Sequence, residues 1–221
     1  MYSGPVACHS LYSISSESPE LFIIIGPNHW GVGCNVAAMK DCSWETPLGQ
    51  VEVDSEAAVE LAKITNIVDL DFSSHIKEHS LEIQVPMLQE VYSKFKILPI
   101  ALIDQEKDTA EKVGEAVATI AKQKNSMIIG SSDFTHYEPN EFAHEQDKAL
   151  IEPILDLDIE KFYKILYERN VTACGYGAIA STMIACKKLG ATKGELLKYA
   201  TSGDVTGDTS SVVGYGSIIC T

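Results

Sequence analysis

The sequence has little positive charge and no long apolar run, and each shortage removes a class of function. Acidic residues outnumber basic ones, 31 Asp and Glu against 17 Lys and Arg, for a formal net charge of −14. Such a chain repels a phosphate backbone, which argues against nucleic acid as a partner. The acids are spread along the chain and read as a solvated surface. No stretch approaches the roughly 18 uninterrupted apolar residues of a membrane span. No basic segment followed by an apolar one marks a secretory signal, so a cytoplasmic location is expected. None of the six cysteines forms a C-x-x-C pair, which argues against a zinc ribbon or a thioredoxin-type motif. They are expected to be reduced and packed as small apolar residues. The chain shows no internal repeat, no low-complexity segment and no interdomain linker.

What remains is an ordinary globular profile, 45% hydrophobic and 22% charged, and 221 residues are enough for one domain with a sizeable core. The organising stretch is Ile23-Ile24-Ile25-Gly26-Pro27-Asn28-His29, a β-branched run that enters a turn and delivers Asn28 and His29. Leu21 to Ile25 predicts a strand buried on both faces. Phe95 to Leu102 and Met127 to Gly130 predict two more core strands. Asn35 to Met39 and Val51 to Val53 read as short strands around a turn at Trp44 to Gly49, and Leu196 to Thr201 and Val212 to Ile219 as the last strands. A helix is predicted within Met1 to Tyr12, with Ser3 as its cap and Pro5 in its first turn, and another over Ser55 to Lys63 capped by Asp54 or Ser55. Further helices are predicted over 81–92 with Pro86 near its first turn, and over 108–122, 140–155, 159–169 and 177–189, the last stopped by Gly190. Residues 68–79 read as a loop. Strands alternating with helices predict an α/β fold, a single domain with a mixed central sheet flanked by helices.

Four polar clusters stand at element ends: Asn28 and His29; Glu78, His79 and Glu82; Asp133 and His136; Asp204 and Asp208. In α/β proteins ligands sit beyond the carboxyl ends of strands. Imidazole with carboxylate is a ligand set for zinc, manganese or non-haem iron, and the same groups move protons. Each also has a plain structural role open to it: His29 as a hydrogen-bonded strand-end residue, His79 as a helix cap, residues 202–208 as a Gly/Asp turn. His75 and His144 sit in polar surroundings and read as solvated. Cys174-Gly175-Tyr176-Gly177 reads as a tight glycine turn before a helix, or as a pocket lining.

The segments Gly26-Pro27-Asn28-His29, Trp44-Glu45-Thr46-Pro47-Leu48-Gly49, Glu78-His79-Ser80-Leu81-Glu82, Ser131-Ser132-Asp133-Phe134-Thr135-His136 and Thr201-Ser202-Gly203-Asp204-Val205 resemble, in order, the successive motifs of the Memo family. Its archaeal and bacterial members are also called AmmeMemoRadiSam system protein B. The resemblance implies a fold like that of the class III extradiol dioxygenases and a pocket resembling a non-haem metal site, with iron(II) or copper as the ion. Carried over by motif, His29 is a metal ligand, and His79, Asp133 and His136 line the same pocket, handling protons or orienting substrate. The third ligand position falls in the Gly203-Asp204-Val205 turn, where Asp204 is the nominee. The family's first metal histidine lies in a Pro-His-Ala-Gly-Tyr segment that is not found in these 221 residues. The chain is therefore expected to lack a first strand, to bind iron weakly and to be prone to homo-oligomerise through the exposed edge. The implied activity is metal-dependent redox or oxygenase chemistry. The alternatives are a non-catalytic module binding a peptide, small molecule or metal ion, and a metal-dependent hydrolase.

Overall fold

The computed structural model describes residues 2–221. Met1 lies outside them. In chain order the elements begin α1 (Gly4–Ser13), β1 (Leu21–Pro27), β2 (Val36–Ala38), β3 (Ser43–Thr46), β4 (Gly49–Glu52), α2 (Ser55–Ile64), β5 (Asp69–Leu70), α3 (His79–Glu82), α4 (Gln84–Val91) and β6 (Lys96–Leu102). They continue with α5 (Lys107–Gln123), β7 (Ser126–Gly130), β8 (His136–Glu138), α6 (Asn140–Leu155), α7 (Ile159–Glu168), α8 (Tyr176–Leu189), β9 (Gly194–Thr201), α9 (Gly203–Thr206) and β10 (Val212–Cys220). The chain folds as two compact units. No helix among the described residues is long and apolar enough to cross a membrane.

The parallel-sheet unit spans residues 15–132 and 175–189. Its five-stranded mixed sheet has the order β5-β2-β6-β1-β7. β1 pairs parallel with β6 and with β7, and only β2 runs antiparallel to its neighbour β6. β1 is buried along its whole length, as a β-branched run with hydrogen-bonding partners on both sides must be. The register aligns Pro27 with Leu102 and Ile25 with Gly130, so three strands end at one edge and the loops after them share it. Helices flank the sheet. α5 buries Val113, Val117 and Ile120 on one face, and Gly114 lets α8 approach so closely that a Cβ there would lie 2.7 Å from the Ser181 carbonyl oxygen. α2 begins where Asp54 Oδ1 accepts the Ala57 N–H at 2.9 Å, the capping geometry that the Asp-Ser pair predicts.

The antiparallel unit comprises residues 2–14, 133–174 and 190–221. Its sheet has the order β8-β10-β9, with α1 against β9 and β10 and with α6 packed on α7. Between β8 and β10 the register steps from Val212↔Glu138 to Val213↔His136, so Tyr137 is the extra residue of a bulge, at φ +59°.

Several expectations change. Residues 44–49 form not an isolated turn but the β3–β4 hairpin, with Trp44 opposite Val51. The helix expected over 81–92 is two pieces, α3 and α4, meeting at Ile83; Pro86 sits in the first turn of α4, where its missing N–H costs little. β7 is an edge strand and only partly buried. His75 is not solvated but 6% exposed: its Nδ1 meets the Asp71 carbonyl at 3.1 Å, and the Trp44 ring lies edge-on with centroids 6.4 Å apart. Ser3 precedes α1 without a side-chain capping bond. All six cysteines are free thiols and none is fully buried, with Cys8 exposed.

Candidate functional site

Each unit gathers one group of titratable side chains. In the parallel-sheet unit the group forms just beyond β1. Asn28 shapes the loop: its Oδ1 accepts the N–H groups of Trp30 at 3.2 Å and Gly31 at 3.1 Å, and its Nδ2 donates to the Val32 carbonyl at 2.8 Å. That leaves His29 facing the start of α3. Gly26 permits this approach, since a Cβ there would lie 2.8 Å from Leu81 Cδ2.

Glu78 organises the group. It is 2% exposed. Oε2 accepts the His29 backbone N–H at 2.7 Å, and Oε1 accepts His29 Nδ1–H at 2.8 Å and the Ser80 N–H at 2.8 Å. Burial alone would raise its pKa, but these donors overrule it and hold the carboxyl at about 2, from an ordinary 4.5. An ionised Glu78 requires His29 to carry its neutral-form proton on Nδ1. The lone pair is then on Nε2, the tautomer a carboxylate imposes on metal-binding histidines. The His79 ring stacks on His29 with centroids 4.7 Å apart, and its Nδ1 lies 3.7 Å from Glu78 Oε1. One donor atom from each of His29, Glu78 and His79 falls within 4.8 Å of the others. With Glu78 committed to three N–H groups, imidazole nitrogens are the donors left over. That set fits a transition-metal ion and not an oxygen-seeking cation such as calcium or magnesium.

In the antiparallel unit the group is Asp133, His136 and Cys174, whose donor atoms also lie within 4.8 Å of one another. The turn is tightly held. The Phe134 N–H donates to the Gly214 carbonyl and the Gly214 N–H to the Thr135 carbonyl, both at 2.9 Å. The Thr135 N–H donates to Asp147 Oδ1 at 2.9 Å. The Asp133 N–H donates to Cys174 Sγ at 3.2 Å, and the Cys174 N–H returns to the Asp133 carbonyl at 3.2 Å. His136 Nδ1 has two carbonyl acceptors, Phe134 at 2.7 Å and Thr172 at 2.9 Å. It must donate to them, so Nε2 presents its lone pair, 3.9 Å from Asp133 Oδ2.

Of the residues singled out in the sequence, His29 and His79 thus meet over Glu78, and Asp133 and His136 share the second group. Asp204 joins no such group among the described residues. It is exposed in α9, and its Oδ2 accepts the Thr201 N–H at 2.7 Å. The sequence reading passed over the partnership of Cys174 with His136, because Cys174 and Gly175 read as a turn. It also passed over Asp147, which is 0% exposed and whose Oδ2 accepts the Tyr199 hydroxyl at 2.7 Å. A signal existed for Asp147: it falls at helical spacing on the buried face of α6 with Ala143, Gln146 and Leu150.

The chain is thus an α/β protein with a mixed sheet and an oriented histidine just beyond the carboxyl end of its interior strand β1, the edge where ligands of α/β folds sit. The chain belongs to the Memo family: the model of that family, described as Memo-like protein, matches residues 1–219. It is 66% identical over 219 residues to a MEMO1 family protein of Nitrosopumilus maritimus, covering 99% of this chain and 80% of that protein. A MEMO1 family protein of Methanopyrus kandleri is 47% identical over 223 residues, with 99% of this chain and 78% of that protein covered. Among solved structures, that of an uncharacterized protein of Escherichia coli superposes with a TM-score of 0.61 at 14% identity, over 94% of this chain and 91% of that one. That likeness concerns the fold alone.

Proposed function

We propose that this Memo-family chain is a metal-dependent redox or oxygenase-type protein, with His29 as a ligand and Glu78 as the residue that orients it. The observation that carries the reading is the tautomer Glu78 imposes: a buried carboxylate with three N–H donors keeps the His29 proton on Nδ1 and aims Nε2 outward. Iron(II) or copper, when bound, would supply the one-electron chemistry with O2 that no side chain provides. His79, largely exposed beside His29, is placed to shift between ligand and proton carrier. In the other unit Asp133 and His136 supply an imidazole Nε2 with a carboxylate beside it, an acid–base pair. The substrate in this reading is a small molecule that meets the ion at His29.

The test is metal binding by chelator-stripped protein, followed anaerobically for iron(II) and separately for copper. His29→Ala should weaken binding at least tenfold, and Glu78→Gln by roughly 10- to 100-fold, the usual cost of losing a partner that orients a ligand. Equal affinity in wild type and both variants would remove this site from the protein's chemistry. Asp204→Asn, measured alongside, decides whether the nominated carboxylate belongs to the ligand set. O2 consumption with catechols, present in wild type and absent in His29→Ala, would extend the reading from binding to oxygenase activity.

A further inference from the structure

The thiol in the antiparallel unit is arranged for a task the metal reading does not use. Cys174 Sγ accepts the Asp133 N–H at 3.2 Å, so a backbone dipole points at the sulfur. Sulfur and a ring nitrogen of His136 fall within 4.8 Å of each other. His136 cannot turn away: its Nδ1 is held by the carbonyls of Phe134 and Thr172, and its backbone N–H by Thr172 Oγ1 at 2.8 Å. With Nδ1 donating, the imidazole carries its lone pair on Nε2, 3.9 Å from the Asp133 carboxylate and in the same cluster as the thiol. A nucleophile, a base beside it and acceptors that fix the tautomer of the base form the recurring layout of an activated cysteine. The thiol is partly exposed, which a reactive cysteine needs.

We propose that Cys174 is a nucleophilic, peroxide-oxidisable cysteine with His136 as its base. In the step, the Sγ proton passes to His136 Nε2 and the sulfur lone pair attacks one oxygen of a hydroperoxide. The O–O bond breaks, and the departing oxygen takes the proton back from His136. With hydrogen peroxide the products are a sulfenic acid on Cys174 and water; sulfur is oxidised by two electrons and the peroxide reduced by two. The Asp133 N–H stabilises the charge that develops on sulfur. The proposal rests on the antiparallel unit alone and stands or falls independently of metal binding at His29.

The test uses the full chain, stripped with a chelator so that no bound ion masks the thiol. It is given a limiting dose of iodoacetamide, and each cysteine peptide is quantified by mass spectrometry. Cys8, exposed and in the same unit, is the internal reference. Cys174 should alkylate faster than Cys8 despite being less exposed. His136→Gln should slow Cys174 at least about tenfold while leaving Cys8 unchanged. After brief hydrogen peroxide, dimedone should tag Cys174 ahead of the other five. Labelling of Cys174 at or below the rate of Cys8 in the wild type overturns the proposal without any variant. So does a folded His136→Gln protein whose Cys174 reacts at the wild-type rate.

Discussion

Two buried carboxylates, one in each unit, are driven in opposite directions. Glu78 is 2% exposed and Asp147 is 0% exposed, so burial penalises the charge of both. Glu78 nevertheless ends at about 2, whereas the Asp147 carboxyl is raised above its ordinary 3.8, with desolvation the leading cause in each. The donors decide. Glu78 takes three N–H groups, one of them from an imidazole that can itself become cationic. Asp147 takes one amide N–H and one phenol hydroxyl, which do not offset its burial. Glu78 thus stands as a fixed negative charge that orients a histidine. Asp147 is a brace: it holds the Thr135 backbone, and with it the turn that carries Asp133 and His136.

The largest effect that would break this contrast is predicted for Glu78→Gln. A pKa lowered from 4.5 to about 2 corresponds to roughly 3 kcal/mol of stability at neutral pH, and the amide both forfeits it and faces donors with its own NH2 group. Its pH profile sharpens the point. The folded value lies below the unfolded one, so the unfolded chain takes up the proton first. The contribution is full above pH 4.5 and drains away as pH falls towards 2. Urea unfolding from pH 6 to pH 2 should therefore show a steep acid loss in wild type that is flattened in Glu78→Gln. Parallel profiles would mean that the three donors do not govern this carboxylate.

Next in size is Gly214→Ala, which attacks the brace from outside. A Cβ at Gly214 would sit 1.8 Å from Asp147 Oδ2 and 3.2 Å from the Tyr199 hydroxyl, so the carboxylate must move. A cost of about 1–3 kcal/mol is expected from overpacking. Because Gly214 also exchanges two backbone bonds with the 134–135 turn, the His136 imidazole resonances should shift by NMR. Unchanged His136 resonances with an unchanged melting temperature would show that the turn does not depend on Asp147.

The contrast also marks what the sequence could disclose. The β-branched run 21–25 can satisfy its backbone and bury its side chains only as a central strand, so β1 and the α/β class were legible from composition and period. Asp54 before Ser55 predicted its helix start for a local reason, a carboxylate three residues from an N–H with no partner inside the helix. The failures were non-local. Residues 44–49 carry turn residues, yet pairing of Trp44 with Val51 makes them a hairpin. Met127 to Gly130 is as apolar as a core strand, but whether a strand has one neighbour or two is not written in its own residues. At the site, His29, His79, Asp133 and His136 stood out by position and motif. The role of Glu78 depends on a contact 49 positions away, and that of Cys174 on one 41 positions away, distances no local pattern reaches.

Smaller effects separate brace from anchor most finely. Asp147→Asn should cost under about 1 kcal/mol at neutral pH, since the amide oxygen can still accept the Thr135 N–H and the Tyr199 hydroxyl can turn to accept from the NH2 group. The pH trend has the opposite sign to that of Glu78. A carboxyl whose folded value is raised takes its proton first in the folded state, so the Asp147 contribution to wild-type stability is greatest below pH 3.8 and declines as pH climbs through the folded value. The asparagine variant has no such decline and should gain on wild type as pH rises. A variant that instead loses ground with rising pH would show Asp147 to be a second anchor. His79→Ala is the smallest change of all. The ring is 72% exposed and 3.7 Å from Glu78, beyond hydrogen-bond distance, so stability should stay within about 0.5 kcal/mol of wild type. If His79 is a ligand, metal affinity will fall while the melting temperature holds; if both hold, the stacked ring is only a neighbour of His29.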